Sequence, residues 1–295
     1  MKETIGVDLG GTRIKGVVID ADGNILHKIY TPTQDGDGST WKDAVVKTVN
    51  ELFLKVSSKN SVIGISAPGL PSEDHSKIVS MPGRMHGLEN FIWSEFLHQQ
   101  VYVVNDAVAA LIAEAKLGAA KNKKHAVMLT LGTGVGGAIL IDGKPYYGAF
   151  NKAGHIGHMV INDECDSDVT GMPGSLEESI GNCTIEKRSK GKFSSTREML
   201  RAYRNGDTVA KEIWLKSIRH LALGLASVTN ILSPEIIVLG GGIAEAGDLL
   251  FDPLREYIAE FEWRVNGKVE IVKAVYGDLA GSVGAASFAK DKMFL

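Results

Sequence analysis

Cysteine is scarce in this chain, with two residues, Cys165 and Cys183, among 295. Two cysteines in a chain of this length indicate a reducing compartment rather than a disulfide scaffold, so we expect a cytoplasmic protein. An excess of positive charge is also absent, since the formal net charge is −3. Such a chain offers no electropositive field to DNA or RNA, and we expect no nucleic-acid partner. The basic run over 121–124 is predicted to be a solvated loop.

Long apolar runs are lacking as well. No stretch approaches the roughly 18 consecutive apolar residues of a membrane-spanning helix. We expect no signal peptide ahead of the first predicted strand at Ile5, and therefore no membrane partner. The length predicts about two domains, each large enough to bury its own core.

Glycine, in contrast, is abundant and falls in clusters. The apolar run 5–9 ends at Gly10-Gly11-Thr12, a second run covers 13–20, and Asp22-Gly23 turns the chain into a third run over 25–29. This pattern predicts two hairpins whose first corner is bare backbone beside a carboxylate, Asp8. Glycines let the main chain approach a ligand closely, and their N–H groups suit anions such as phosphate. For one corner alone, a plain tight turn is the better interpretation.

The same pattern returns about 122 residues later. Runs over 126–131 and 135–141 flank Gly132-Thr133-Gly134, and Asp142-Gly143 follows at nearly the same offset as before. Two copies indicate a duplicated unit, and a phosphate chain between two facing glycine corners would be held from both sides. A third cluster, Gly240 to Gly242, ends the run 236–238, where a strand-to-helix turn would meet a nucleoside. Plain turns explain three clusters in this order poorly.

Hydrophobic periodicity predicts the remaining elements. Helices are predicted over 41–56, over 107–117 and from an N-cap at Asp207 to Ser233, and buried strands over 62–67 and 101–104. Strands that alternate with helices after each opening meander predict an α/β protein.

With these three glycine motifs in order, the chain resembles the ROK family of sugar kinases, within the actin–hexokinase–Hsp70 superfamily of ATP-binding proteins, nearly from end to end. The resemblance implies two RNase-H-like domains with an active-site cleft between them. Residues 1–118 would form a sugar and phosphate domain, joined by a C-terminal helix at about 281–295. Residues 119–280 would form the nucleotide-binding and dimerisation domain, which implies a homodimer.

The resemblance also implies ATP with Mg²⁺. The residues expected to contact them are Asp8, Gly10, Gly11, Thr12, Lys15, Gly132, Thr133, Gly134, Gly240, Gly241 and Gly242. Asp8 is expected near Mg²⁺ through water, because Mg²⁺ keeps several waters at phosphoryl-transfer sites; the alternative is an acid that flanks a turn. Thr12 and Thr133 offer hydroxyls to phosphate oxygens. Lys15 matches an early lysine of the family, but its place in the second strand leaves a purely structural role open.

The catalytic chemistry is expected at Asn105-Asp106. Asp106 follows a buried strand and opens a helix, where N–H groups at the helix start favour an ionised carboxylate. From local sequence alone an ordinary N-cap is the alternative. The resemblance implies that Asp106 is the base that accepts the proton of a sugar hydroxyl, at C6, as that hydroxyl attacks the γ-phosphate, while Asn105 binds a second hydroxyl. Gly69, after Ala67-Pro68, is expected to let the backbone approach the sugar.

A zinc loop typical of the family is altered in this chain. Its His and Glu are matched by His158 and Glu177, but its three cysteine positions fall on Asp168, Thr170 and Ser175. A structural zinc site needs four nitrogen or sulfur ligands, mostly thiolates, so we expect no structural zinc. A metal site rebuilt from His155, His158 and Asp168 is left open.

Sugar choice is expected to differ from that of glucose or N-acetylmannosamine kinases. His158 and Glu177 would bind hydroxyls near the anomeric end of the sugar, although for either residue alone a surface or core role is the default. His155 stands where most of the family has Glu, and a neutral His offers one donor and one acceptor instead of a charged acceptor. A second departure is Gly83-Arg84, where an amide side chain is lost and Arg84 or His86 would compensate.

Three functions fit these observations: a hexose or N-acetylhexosamine kinase, a sugar-responsive regulator, and a weak or silent sugar-binding relative. ROK repressors carry a DNA-binding domain ahead of the first glycine corner, whereas only residues 1–4 precede the first strand here, so we do not expect DNA binding. Asp106 argues against a silent relative and the altered zinc loop argues mildly for one. Both ATP and polyphosphate fit as the phosphoryl donor.

Overall fold

The computed structural model describes residues 3–33, 40–57, 61–81, 85–163, 166–261, 263 and 267–293. The chain divides into two compact units. One comprises Met1–Asn122, Pro145–Ala153 and Val275–Leu295, and the other Lys123–Lys144 and Gly154–Ala274.

The strands and helices of the first unit are numbered in order along the whole chain. They are β1 (Thr4–Leu9), β2 (Arg13–Ile19), β3 (Ile25–Pro32), α1 (Thr40–Phe53), β4 (Ile63–Ala67), β5 (Leu70–Pro71), β6 (Ile78–Ser80), α2 (Trp93–Leu97), β7 (Val101–Asn105), α3 (Asp106–Leu117) and, near the C-terminal end, α9 (Ala280–Lys292). The order in the main sheet is β3-β2-β1-β4-β7, antiparallel from β3 to β1 and parallel from β1 to β7.

Helices α1 and α9 complete the packing of this sheet. Val45, Val49 and Leu52 of α1 are buried in a core with β1, β2 and β4. The helix ends at Phe53, three residues before the predicted end, because the apolar spacing continues into a turn. Helix α9 packs on β1 and β4 and on α3. Gly64 makes this approach close, since a Cβ there would overlap the backbone of Ala285.

The second unit contains β8 (Ala126–Leu131), β9 (Val135–Ile141), α4 (Leu176–Ile180), α5 (Ile185–Arg188), α6 (Thr196–Arg204), α7 (Thr208–Leu232), β11 (Ile236–Gly240), α8 (Asp248–Phe261) and β12 (Glu270–Lys273), while β10 covers Lys144–Tyr146. Its strands run in the order β9-β8-β11-β12, with β8 antiparallel to β9 and parallel to β11. This repeats the order β2-β1-β4-β7 of the first unit, as the duplicated glycine pattern predicts.

Helix α7 is the longest element of the second unit. The Asp207 carboxylate accepts the N–H of Ala210 at 2.9 Å, which is the predicted N-cap. Ser233 ends the helix in the left-handed region with φ 44°. Trp214, Leu221 and Leu225 bury its inner face in the core that also contains residues of β8 and β11. The predicted α/β class is therefore confirmed, and within the described ranges no helix is long and apolar enough to cross a membrane.

Candidate active site

The start of α3 holds the two residues expected to carry catalysis. Asn105 is the N-cap, because its Oδ1 accepts the N–H groups of Ala107 at 3.0 Å and Val108 at 3.2 Å. Asp106 is the first helical residue, and its Oδ1 accepts the N–H of Ala107 at 2.8 Å. The alternative that Asp106 is an ordinary N-cap is therefore wrong. Its carboxylate instead lies half-buried at the positive end of the helix dipole, which favours the ionised form.

Asn105 also ties α3 to the segment that follows β4. Its Nδ2 donates to the carbonyl oxygen of Gly69 at 3.0 Å, and Gly69 has φ +96°. The amide oxygen is already used by the helix N-terminus, whereas Nδ2 has a second N–H. Asn105 thus keeps one N–H that can donate to a ligand. The structure brings Gly69 into contact with Asn105, which precedes Asp106, and the sequence predicted all three residues near the sugar.

Asp8 lies at the end of β1 with a partner on each neighbouring strand. Its Oδ2 accepts from Lys15 Nζ at 3.0 Å and its Oδ1 accepts from Ser66 Oγ at 2.7 Å. Both partners stand opposite Asp8 in the register of the sheet. A carboxylate has about four acceptor positions, so these bonds leave room for contact with a hydrated Mg²⁺. Lys15 contacts this site only through Asp8, so a role in the site and a purely structural role both stay open.

The first glycine corner joins β1 to β2. Gly10 and Gly11 are partly exposed and Thr12 is exposed. The carbonyl of Thr12 accepts the N–H of Thr33 at 3.1 Å, which ties the corner to the end of β3. Next to it, the Arg13 guanidinium pairs with Asp278 at 2.8 Å. These contacts tie the corner to neighbouring segments, while Thr12 is exposed to solvent.

The second corner, between β8 and β9, is held in the same manner. The N–H of Gly132 donates to the Gly134 carbonyl at 2.9 Å, and the carbonyl of Thr133 accepts from Cys183 N at 2.8 Å. Thr133 itself is exposed. The Glu177 carboxylate, on α4, accepts the N–H of Val135 at 2.8 Å. A Cβ at Gly134 would overlap this carboxylate, so Gly134 is the residue that admits Glu177.

The third cluster lies beside the second. Strand β11 ends at Gly240, and Gly241 has φ +84°. The N–H of Ile243 donates to the carbonyl of Leu131, the residue before Gly132, at 2.9 Å. A Cβ at Gly242 would meet no atom within 4 Å, so its backbone faces open space. The second unit thus places both of its predicted nucleotide-binding clusters at one end of its sheet.

His155, His158 and Asp168 form one group in the second unit. The two imidazole rings stack, with centroids 6.3 Å apart and an interplanar angle of 13°. His158 Nδ1 lies 2.8 Å from Asp168 Oδ2. Burial raises the pKa of the Asp168 carboxyl, but hydrogen bonds from His158, Thr170 and Ser175 outweigh burial and hold that pKa well below its usual range. Across the described part of the chain, no group of three or more His, Cys, Asp or Glu is placed to hold a metal ion. His155, His158 and Asp168 therefore do not form the rebuilt metal site that the sequence left open.

Some sequence predictions fall elsewhere. Gly83, Arg84 and Cys165 lie outside the described residues. His86 is exposed, and its carbonyl accepts from Trp41 Nε1 at 3.2 Å. Sequence reasoning missed Ser66, which has no local motif; the β1–β4 register that places it beside Asp8 is its only signal.

Comparison with known proteins identifies the family. The sequence profile described as the ROK family matches residues 4–292. A glucokinase of Streptomyces coelicolor is 30% identical, with 98% of each chain covered. The crystal structure of a ROK family glucokinase from Streptomyces griseus in complex with glucose and AMPPNP gives a TM-score of 0.84 at 25% identity, covering 98% of this chain and 99% of that one. The crystal structure of a ROK hexokinase from Thermus thermophilus gives 0.83 at 28% identity, covering 99% of each. This chain belongs to the ROK family.

Proposed function

We propose that this protein is an ATP-dependent sugar kinase that transfers the γ-phosphate of ATP to the C6 hydroxyl of a hexose or N-acetylhexosamine. The observation that carries the proposal is the half-buried Asp106 carboxylate at the start of α3, beside the Asn105 amide bonded to Gly69. The similarity to a glucokinase solved with glucose and an ATP analogue supports both substrates.

Asp106 acts as the general base in this proposal. Its position at the helix start keeps it ionised, so it accepts the hydroxyl proton as the sugar oxygen attacks phosphorus. Asn105 donates its second Nδ2 hydrogen to a neighbouring hydroxyl and fixes the angle of approach. The Gly69 backbone borders the same corner. Phosphoryl transfer needs mainly such positioning and the stabilisation of charge.

The glycine corners serve the nucleotide. Backbone N–H groups of Gly10, Gly11, Thr133 and Gly134 bind phosphate oxygens, with the Thr12 and Thr133 hydroxyls beside them. The Gly132 N–H is used by the Gly134 carbonyl, so Gly132 serves this corner by shaping its turn. Gly240 to Gly242 border the adenosine. Mg²⁺ would neutralise charge on the phosphates, and Asp8, with its Lys15 and Ser66 partners, would hold the hydrated ion. Family resemblance also supports a homodimer and a cytoplasmic location.

Sugar selectivity is assigned to His155, His158 and Glu177, which bind the anomeric end of the ring. His155 and His158 stack on each other, and Glu177 is a buried residue of α4. Because His155 replaces a charged acceptor, the preferred sugar is one whose hydroxyls suit a neutral donor–acceptor pair.

A weak or silent sugar-binding protein is the second candidate, favoured by the three missing thiolates at positions 168, 170 and 175.

A coupled assay of ADP release distinguishes a sugar kinase from a silent sugar-binding protein. ATP–Mg²⁺ is offered with glucose, mannose, fructose, allose and their N-acetyl relatives, with polyphosphate as an alternative donor scored by sugar phosphate formed. Sugar-dependent release with at least one acceptor supports the kinase. Sugar binding by calorimetry without turnover of any acceptor by either donor overturns it.

A further inference from the structure

Asp168 is the centre of a hydrogen-bonded network in the second unit. Its side chain is 0% exposed. Oδ1 accepts from Thr170 N at 2.8 Å, Thr170 Oγ1 at 2.7 Å and Met172 N at 3.1 Å, and Oδ2 accepts from His158 at 2.8 Å. The Ser175 hydroxyl donates to the same carboxylate. One buried side chain therefore joins His158 to both ends of the segment 168–175.

These contacts do not fit a structural zinc. The donor set is one imidazole, one carboxylate and two hydroxyls, with no thiolate. Asp168 uses both carboxylate oxygens on its neighbours, and the Ser175 hydroxyl oxygen also accepts the N–H of Glu178 as the N-cap of α4. A zinc ion would have to displace bonds that already satisfy these groups. The segment is thus cross-linked by hydrogen bonds at the positions where the family carries cysteines.

We propose that Asp168 takes over the cross-linking role of the metal and, as a positioning residue, fixes His158 in the tautomer whose Nδ1 carries the proton, so that Nε2 presents a hydrogen-bond acceptor to the sugar. An ionised carboxylate can only accept, so the hydrogen shared with His158 must come from Nδ1. A metal ion bound at Nδ1 would leave the proton on Nε2 instead, because a liganding nitrogen must be unprotonated. Compared with a metal ion on Nδ1, Asp168 therefore reverses the polarity that His158 offers to a ligand at Nε2.

The network also reaches the second candidate sugar residue. Ser175 links Asp168 to α4, and α4 carries Glu177, whose carboxylate lies against Val135. The ring of His158 is further oriented by its stack on His155. The sugar contact rests on the proposed kinase function, whereas the tautomer and the cross-link do not.

Histidine tautomers give a test that is independent of activity. In full-length protein labelled with ¹⁵N-histidine, long-range ¹H–¹⁵N spectra at about pH 8.5, above the ordinary histidine pKa, distinguish Nδ1–H from Nε2–H rings. The signals of His158 are assigned by their loss in His158→Gln, and the ring is expected in the Nδ1–H form.

Asp168→Asn should shift the His158 ring towards the Nε2–H form, which is the form favoured in water. Asp166→Asn is the matched control, because Asp166 is an exposed residue two positions before Asp168 and pairs with Lys187. An Nε2–H ring in the wild type overturns the proposal even if Asp168→Asn fails to fold.

Sugar analogues test the acceptor at Nε2. The values of kcat/KM are compared for the preferred sugar, its deoxy forms at C1 and C2, and the fluoro forms at the same carbons. Fluorine cannot donate a hydrogen bond, so at the contacted position both analogues should lose about 5- to 150-fold, to a similar extent. A fluoro analogue that outperforms the deoxy form, or no loss at either carbon, overturns the acceptor role. If no sugar is turned over, the kinase proposal fails while the tautomer result still decides the role of Asp168.

Discussion

The Glu177 carboxylate accepts the backbone N–H of Val135 at 2.8 Å, and Val135 is the residue that follows the glycine corner between β8 and β9. Gly134 admits that carboxylate because it lacks a Cβ. A residue expected to bind sugar and a corner expected to bind phosphate therefore share one hydrogen bond. A change in Glu177 should alter the corner as well as the sugar contact.

Replacement of Glu177 should show how much its hydrogen bond to Val135 contributes to the free energy of unfolding. Glu177→Ala leaves the buried Val135 N–H without its acceptor, so the free energy of unfolding should fall by about 1–3 kcal/mol. Chemical denaturation checks the value. Glu186→Ala, at an exposed position of α5, is the control and should change stability by less than about 1 kcal/mol. Equal effects of the two variants would contradict the role of the Val135 bond.

Substitution of Asp106 tests the base. Asp106→Asn keeps the shape at the start of α3 but cannot accept the proton, so kcat should fall by roughly 10²- to 10⁴-fold while sugar binding is largely kept. Asp43→Asn, at an exposed position of α1, should leave kcat unchanged. Steady-state kinetics and calorimetry give both quantities. Near-normal turnover by Asp106→Asn would rule out the proposed base.

The local parts of this site are readable from the sequence. The three glycine clusters, Asn105-Asp106 and the Asp207 cap depend on residues that are neighbours in the chain, and so their patterns are visible there. The bonds from Asn105 to Gly69 and from Ser66 to Asp8 are different. They join residues far apart in sequence, and the register of β1, β4 and β7 alone brings them together.

The network around Asp168 shows a second reason why sequence falls short. The loss of three cysteines is plain in the sequence, and it indicates what the segment 168–175 cannot bind. What replaces the metal depends on side-chain orientation, because the buried Asp168 carboxylate accepts hydrogen bonds from His158, Thr170 and Ser175. No local pattern distinguishes that arrangement from an exposed loop acid.

Metal content follows from the same residues. With no thiolate at positions 168, 170 and 175, elemental analysis of the purified protein should find far less than one zinc per chain. The sample is dialysed against zinc-containing and then zinc-free buffer, so that loss during purification is controlled. Stoichiometric zinc that survives dialysis would show that other side chains hold the metal.

Glu114 is a buried carboxylate of α3 outside the proposed chemistry. Its Oε1 accepts the N–H groups of Val275 and Tyr276, each at 2.9 Å, and its Oε2 accepts that of Ala119 at 2.8 Å. Glu114→Gln turns an amide N–H₂ towards one of these donors, so we expect a loss of about 1–3 kcal/mol in the free energy of unfolding. Glu51→Gln, on α1, is the control. Unchanged denaturation of Glu114→Gln would mean that water or a local shift satisfies the three N–H groups.

Sugar selectivity is expected to respond to His155. Its ring stacks on His158, which lies 2.8 Å from Asp168. In the proposed site, a change at position 155 therefore acts on the anomeric end of the sugar and not on Asp106. A buried polar group left without its partner costs about 1–3 kcal/mol, which is enough to change the order in which acceptor sugars are preferred.

The measurement is kcat/KM for glucose, mannose, fructose, allose and their N-acetyl relatives in the wild type and in His155→Glu. The ranking should shift towards sugars that suit a charged acceptor. His27→Glu, at an exposed position of β3, introduces the same charge elsewhere and should leave the ranking intact. If His155→Glu scales every rate alike, His155 lies outside the sugar site.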